Sequence, residues 1–475
     1  MVVLNVRKDL DIARVALDGF NVAQAVGFSP TGVQTMSAVC GHPVNHRFGG
    51  VREGVESLFA RSPEKSLNIR TFRPEQPDGH PFDYGLKSVD EVVARVQHHT
   101  GEGLFCIVNE TIDVKDGGVS GVVIRGNTDG IIEFAPEDIP RCVELKSILE
   151  KGAVASLPAG IGSDMLGKAY WFNPELLRDA NTRTEFSIHP WKRGFLGGHT
   201  IYWQVSPVGD VVAQPSWAWP NRYSAFLGDK AYGLLIAEAV GLPVPFTMVV
   251  PKKGSAPFQF GQRTNSAEFW TRTAPNTKMP GLYLTERGYV NPTETLRREK
   301  DLEQQNIASI LYQEGVTPQF SGAALSMVDG SVLVEGVQGF GDEYMLGERA
   351  PISLPQRVME AVSVLHREAQ TKLNTPIKTE WVYDGKQPWF VQLNRDIPQG
   401  SETVTIVEPP KGVEVEYIDH VVSSGGLEAV RDIAIEAQRS GKGIRLLGRV
   451  GITSHVGDIL RRANVPSYMV PEYKQ

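Results

Sequence analysis

The stretch "GDKAYGLLIAEAVGLPVPFTMVV", residues 228–250, decides how this chain is read. A Gly-Asp pair leads into Lys230, and the apolar residues Ala231, Leu234, Leu235 and Ala239 then recur at helical spacing. Gly241 stops that helix, and "FTMVV" follows as a β-branched run of strand character. A lysine at a helix start, beside backbone N–H groups with no partner in the helix, reaches an anion as a point charge. The segment therefore reads as a helix that presents one cation, joined through a tight turn to a strand.

The rest of the chain sets the frame. Its 475 residues are too many for one core. With 41% hydrophobic and 22% charged residues, the composition is that of a globular protein. A formal charge of -7 leaves no basic footprint, so no nucleic-acid partner is expected. Cys40, Cys106 and Cys142 fit neither a zinc site nor a disulfide framework, which suits a reducing compartment. The opening "MVVLNVRKDLDIARV" lacks the apolar core of a signal peptide, and no apolar run is long enough to span a bilayer. A cytoplasmic protein with no membrane partner is expected. Prolines and tryptophans interrupt the pattern in "VSPVGDVVAQPSWAWPNRYSA", and a Pro-Pro signal sits in "IVEPPKGVEVE". These punctuations suggest three parts: residues 1–215, 216–408 and 409–475.

In the middle part, four further pieces join Lys230. "WTRTAP" offers Arg272 from a short strand flanked by hydroxyls, and "LYQEGVTPQFSGAALS" contains Gln313 and Glu314. "VEGVQGFGDEYMLG" couples Glu335 to a loop with Gly339 and Gly341. "KTEWVYDGKQPWFVQLNRD" holds Glu380 and Gln392 on two strands joined by an Asp-Gly turn. Two oxygen donors on one face of paired strands suit Mg²⁺, which keeps waters and substrate phosphates as its other ligands.

The order of these pieces resembles the nucleotide-binding domain, of ATP-grasp type, in phosphoenolpyruvate synthase, pyruvate phosphate dikinase and rifampicin phosphotransferase. The resemblance implies an α+β, ATP-grasp fold that uses ATP and Mg²⁺. It implies that Lys230 and Arg272 hold phosphates, that Gln313 and Glu314 lie at an adenine-binding hinge, and that Glu335 lies near ribose or phosphates. Glu380 and Gln392 would hold the metal. One departure stands out: where the family has an arginine two places after the glutamine, this chain has Asn394, with Arg395 one step later. A one-residue shift on a strand turns the side chain to the other face.

The first part carries a fainter copy of the same series. Arg70 in "LNIRTFRP" sits as Arg272 does, and "IVNETIDVKDGGVSGVVIRGNTDGIIEF" repeats the order Glu, Ser-Gly, Asp-Gly, Glu of "LYQEGVTPQFSGAALSMVDGSVLVEG". "RTEFSIHP…HTIYWQV" places Glu185 and Gln204 where Glu380 and Gln392 lie. Several matches in sequence indicate a tandem, degenerate duplication. The copy's opening, "ALDGFNVAQAVGFSPTG", supplies no lysine at the place of Lys230, so an acceptor or regulatory role stands beside a second nucleotide site.

The end of the chain, "GRVGITSHVGDILRRANVPSYMV", brings His455 onto the first turn of a short helix in a small α/β segment. A helix N-terminus favours an anion there. The segment resembles the phosphohistidine motif of the same family through Thr-Ser-His, the following helix with its arginine, and "VPS". The resemblance implies a dikinase-like phosphotransferase in which His455 carries the phosphoryl group to a small-molecule or protein acceptor. Two other functions remain open: an ATP-grasp ligase that activates a carboxylate as an acyl phosphate, and a non-catalytic ATP sensor.

Overall fold

A computed structural model describes residues 7–76, 79–112, 117–126, 129–137, 154–179, 181–191, 194–209, 212–277, 281–283, 285–396, 405–422 and 425–471. Cys142 lies outside the described residues. The architecture is α+β, built from antiparallel sheets with one parallel segment at the end. Two compact units divide it: residues 1–223 with 253–256, and residues 224–252 with 257–475. The C-terminal segment belongs to the second unit. Among the described residues no helix is long and apolar enough to cross a membrane.

Each unit contains the same pair of sheets. In the first unit a five-stranded sheet runs in the order Gln34–Ala38, Ala25–Phe28, Phe105–Glu110, Leu67–Phe72, Phe82–Leu86. In the second unit the order Phe258–Phe260, Thr247–Pro251, Ile307–Glu314, Phe269–Pro275, Thr285–Arg287 is identical in topology. The other sheet of the second unit is ordered Pro388–Arg395, Ile377–Tyr383, Phe320–Ser326, Val332–Gln338. Its counterpart in the first unit runs Thr200–Pro207, Thr182–Ile188, Val119–Ile124, Ile131–Pro136, with Ala155–Pro158 added at the edge.

The duplication extends to single residues. Glu380 pairs with Gln392 and Trp381 with Phe390, so Val391 bulges out; Glu185 pairs with Gln204 and Phe186 with Tyr202, so Trp203 bulges out. A bulge re-aims the side chains and carbonyls beside it, and both units place it at the same point. The Ser-Gly pairs of the two copies also coincide. Gly322 and Gly121 sit mid-strand where an added Cβ would lie 2.0 Å from the Glu335 carbonyl oxygen and 2.5 Å from the Phe186 ring, respectively. Only a residue without Cβ lets these strands approach.

The opening helices match as well. Arg7–Leu17 and Asp229–Ala239 each span 11 residues and end at a glycine of positive φ, Gly19 and Gly241. In both, the turn closes with paired 6→1 and 5→2 backbone bonds: Leu242 to Ala237 and Gly241 to Glu238, Phe20 to Val15 and Gly19 to Ala16. Counting back from these glycines corrects the sequence reading. Lys8, upstream of the quoted opening, precedes Gly19 by the same eleven positions that separate Lys230 from Gly241.

The last sheet orders Thr405–Val407, Ser467–Val470, Gly443–Leu447 and Tyr417–Val421, with parallel pairing in its centre. Helices Gly426–Ser440 and His455–Ala463 cover it. Its apolar core, including Leu446, Ile452, Val456 and Leu460, is continuous with Leu325 and Leu333 of the neighbouring sheet. Replacement of Gly322 or Gly121 by alanine is expected to destabilise the protein by about 1–3 kcal/mol through overpacking, read as a lowered midpoint in urea unfolding.

Candidate functional site

Strand alternation turns Arg272 inward from the strand Phe269–Pro275, where it is 8% exposed. Its Nη1 donates to Gln313 Oε1 at 3.0 Å and to the bulged Val391 carbonyl at 2.6 Å. Its Nη2 donates to Gln392 Oε1 at 2.7 Å and lies 3.4 Å from Glu380 Oε2. One guanidinium thus ties the first sheet of the second unit to the other sheet, and three other residues singled out from sequence, Gln313, Glu380 and Gln392, meet at it. Asn394, two places past Gln392, faces inward and is buried, whereas Arg395 is exposed. The one-residue shift has therefore carried the arginine away from the site.

The two sheets enclose a cleft of about 670 Å³, part of it open to solvent. Trp270, Phe340, Met345 and Trp381 give it apolar walls. Arg272, Gln313, Glu314, Asp342 and Glu380 supply its polar groups. The Gly339–Gly341 turn is pinned over the cleft by Ser321, whose Oγ donates to the Gly339 carbonyl at 2.6 Å. Glu314 is buried; its backbone N–H donates to the Phe246 carbonyl, and its carboxylate lies 3.5 Å from Arg263.

Charge distribution sets the chemistry. Burial works to raise the pKa of Glu380, but Arg272, then His455, Lys378 and Lys230 outweigh it and hold the carboxyl below its ordinary value. Glu380 is therefore ionised at neutral pH. Lys230 is half-buried, and among the described residues its ammonium makes no hydrogen bond or ion pair. Burial and then the Arg272 charge push its pKa down to about 8, against a smaller pull from Glu380 and Glu299. Lys230, like Gln392 and His455, is not among the residues that line the cleft; its half-buried cation acts on the ionised Glu380 through its charge. Asp342 lines the same cleft, its pKa raised mainly by burial. Sequence reading missed it, although it directly follows the quoted Gly-Phe-Gly.

Glu335 lies elsewhere than expected. It is not among the residues that line the cleft; its Oε2 accepts the Thr453 backbone N–H at 2.8 Å and lies 3.3 Å from the buried Tyr344 hydroxyl. Tyr344 also bonds the Thr453 hydroxyl. Glu335 thus anchors the loop that precedes His455. Ser454, at the N-cap position, donates to the Gly451 carbonyl and makes no side-chain cap. The His455 ring is held through Nδ1, 3.4 Å from Asp458 Oδ2, and lies within electrostatic reach of Glu380.

The first unit keeps the hub but closes it. Arg70 Nη2 donates to Gln204 Oε1 at 2.6 Å and lies 3.6 Å from Glu185. Arg183 adds a 2.6 Å contact to the same carboxylate. Glu110, at the register of Glu314, is fully buried and accepts from the Gln24 backbone and side chain, each at 3.0 Å.

No family model matches this chain, and no curated protein matches it. Among solved structures, it is similar to the D-alanine-D-alanine ligase from Coxiella burnetii at 10% identity, covering 37% of this chain and 49% of that chain with a TM-score of 0.25. The D-alanine–D-alanine ligase from Bacillus anthracis complexed with ATP matches at 13% identity, over 37% and 57%, with a TM-score of 0.24. The phosphoribosylamine–glycine ligase from Thermotoga maritima matches at 10%, over 38% and 50%, with a TM-score of 0.25. The chain spans about half the length of these structures.

The Lys230 shift gives a direct test. Its ammonium is protonated below a pKa of about 8 and neutral above it, so calorimetric affinity for inorganic tripolyphosphate should fall about tenfold between pH 7 and pH 9. In Lys230→Met the affinity should be lower throughout and nearly flat over that range.

Proposed function

We propose that the second unit binds ATP with Mg²⁺ in the cleft between its two antiparallel sheets and transfers a phosphoryl group to His455. Glu380 carries this reading: one ionised carboxylate lies within the electrostatic reach of the cations Arg272 and Lys230 and of the His455 ring. The donor set fits a hard divalent cation, with Glu380 ionised and Asp342 and Gln392 as further oxygen donors. When bound, Mg²⁺ neutralises phosphate charge.

The chain's own residues do the rest. Lys230 attracts the phosphates, and Arg272 adds fixed positive charge at the floor of the cleft. The partly exposed rings of Trp270 and Phe340 offer stacking surfaces to a purine base. With Nδ1 turned to Asp458, His455 presents its Nε2 lone pair as the nucleophile.

A second reading, ligation through an acyl phosphate, is favoured by one observation. The histidine-bearing segment shares a continuous apolar core with the neighbouring sheet, so His455 is built into one place as a group that binds an acceptor would be. The two readings separate in a labelling experiment with ATP carrying label at the β or γ position. Phosphotransfer predicts acid-labile, base-stable label on the wild type and none on His455→Ala, which still binds ATP. Glu380→Gln should lose label formation by about 100-fold or more, in line with loss of a group that stabilises the transition state. ADP release with no labelled protein, given a carboxylate and an amine, would move ligation ahead.

A further inference from the structure

Asp458 has entered so far only as the group that His455 Nδ1 faces, yet it is among the most heavily engaged side chains in the second unit. It lies three residues after His455, one turn along the same helix, and is 7% exposed. Its Oδ2 lies 2.5 Å from Lys378 Nζ and 3.4 Å from His455 Nδ1; its Oδ1 accepts from Arg461 Nη2 at 2.7 Å. Lys378 is itself 2% exposed, on the strand that carries Glu380. Arg461 also donates to the Ile452 carbonyl at 2.8 Å, which fixes it against the loop before the helix.

This is more than a buried ion pair needs. A lysine and an aspartate would satisfy each other in a buried pair; here a second cation and an imidazole converge on one carboxylate. Lys378 and Arg461 hold the carboxylate in place and leave Oδ2 facing a ring nitrogen. A carboxylate accepts and does not donate, so the imidazole nitrogen that faces it carries the proton. The other nitrogen, Nε2, then keeps its lone pair.

We infer that Asp458, braced by Lys378 and Arg461, is the positioning residue that fixes the ring and tautomer of His455 for phosphoryl transfer. The inference rests on the reading of His455 as the phosphoryl acceptor. In the step, the Nε2 lone pair forms the N–P bond as the bond from phosphorus to the bridging oxygen breaks, and that oxygen leaves on the nucleotide with the electron pair. The proton on Nδ1 stays where it is, and the positive charge that develops on the ring is met by the Asp458 carboxylate. The 3.4 Å separation is long for such a bond in the resting protein and closes as that charge appears.

The test uses the full chain, with ¹⁵N-labelled histidine and His455→Gln to assign the His455 signals. Wild type should show Nδ1 protonated and Nε2 unprotonated; Asp458→Asn should show a mixture of tautomers. In Asp458→Asn the rate of label transfer from ATP should fall about 10- to 100-fold, the usual effect of losing a carboxylate that orients a functional histidine, with ATP affinity unchanged. Because Asp458→Asn leaves Lys378 buried without its partner, a folded Lys378→Met/Asp458→Leu variant provides the second case and should show the same mixed tautomers. A wild-type tautomer ratio and wild-type labelling in Asp458→Asn would overturn the inference, as would a single fixed tautomer in the double variant. If the wild type takes no label, the phosphoacceptor reading fails by itself, and an Nδ1-protonated His455 that depends on Asp458 would still establish the positioning role.

Discussion

A single buried guanidinium organises the second unit. Arg272 leaves one sheet and uses its donors on Gln313 beside it and on Val391, Gln392 and Glu380 of the facing sheet. A charge so placed is stable only while those oxygens surround it, and removing one partner of such a set costs about 3–5 kcal/mol because the other charge stays buried. The bulge at Val391 belongs to the same constraint, since it turns a backbone carbonyl toward the guanidinium. The cleft is what remains between two sheets held at the distance that one arginine can span.

The first unit shows what the hub becomes when its neighbours change. Arg70, Glu185 and Gln204 repeat the geometry, but Arg183 closes on Glu185. Lys378 occupies the register of Arg183 on the corresponding strand, two residues before the glutamate. Its ammonium is held instead by Asp458, which comes from the C-terminal helix. Asp458 therefore holds that cation in direct contact, and Lys378 acts on Glu380 through its charge. Glu335 and its counterpart Glu133 differ in the same sense: the first accepts the Thr453 N–H, while Glu133 Oε2 is buried with no partner among the described residues. Within the second unit, the copy differs where the C-terminal segment packs on it.

Much of this was legible in the chain. The helix at Asp229, the strands at Thr247 and Pro388, and the helix at Gln356 follow from apolar periodicity, glycine stops and an Asp-Gly turn. The Ser-Gly pairs betrayed the duplication because close strand pairing leaves no room for a Cβ. What periodicity could not give was partner choice across the fold. Glu335 sits in the expected strand, yet its carboxylate turns to a loop more than a hundred residues later. Lys378 and Asp458 look like ordinary surface charges in sequence, yet they are buried and meet across 80 residues of chain. Lys8 escaped notice because the quoted opening began at Ala16, more than two turns after the start of its helix at Arg7.

The C-terminal segment also limits how any group on His455 could be used. Its core runs on into Leu325 and Leu333, Tyr344 is buried against the Thr453 loop, and the Lys378–Asp458 pair is shielded from water. A carrier that must travel would have to expose that apolar core and separate two buried charges each time. The apolar part alone amounts to roughly 1.5–3 kcal/mol for each large side chain uncovered. The lower-energy course is for an acceptor to come to the histidine. On that view the network around Asp458 serves two ends with one set of contacts: the charges that seat the helix against the sheet are the ones that orient the ring.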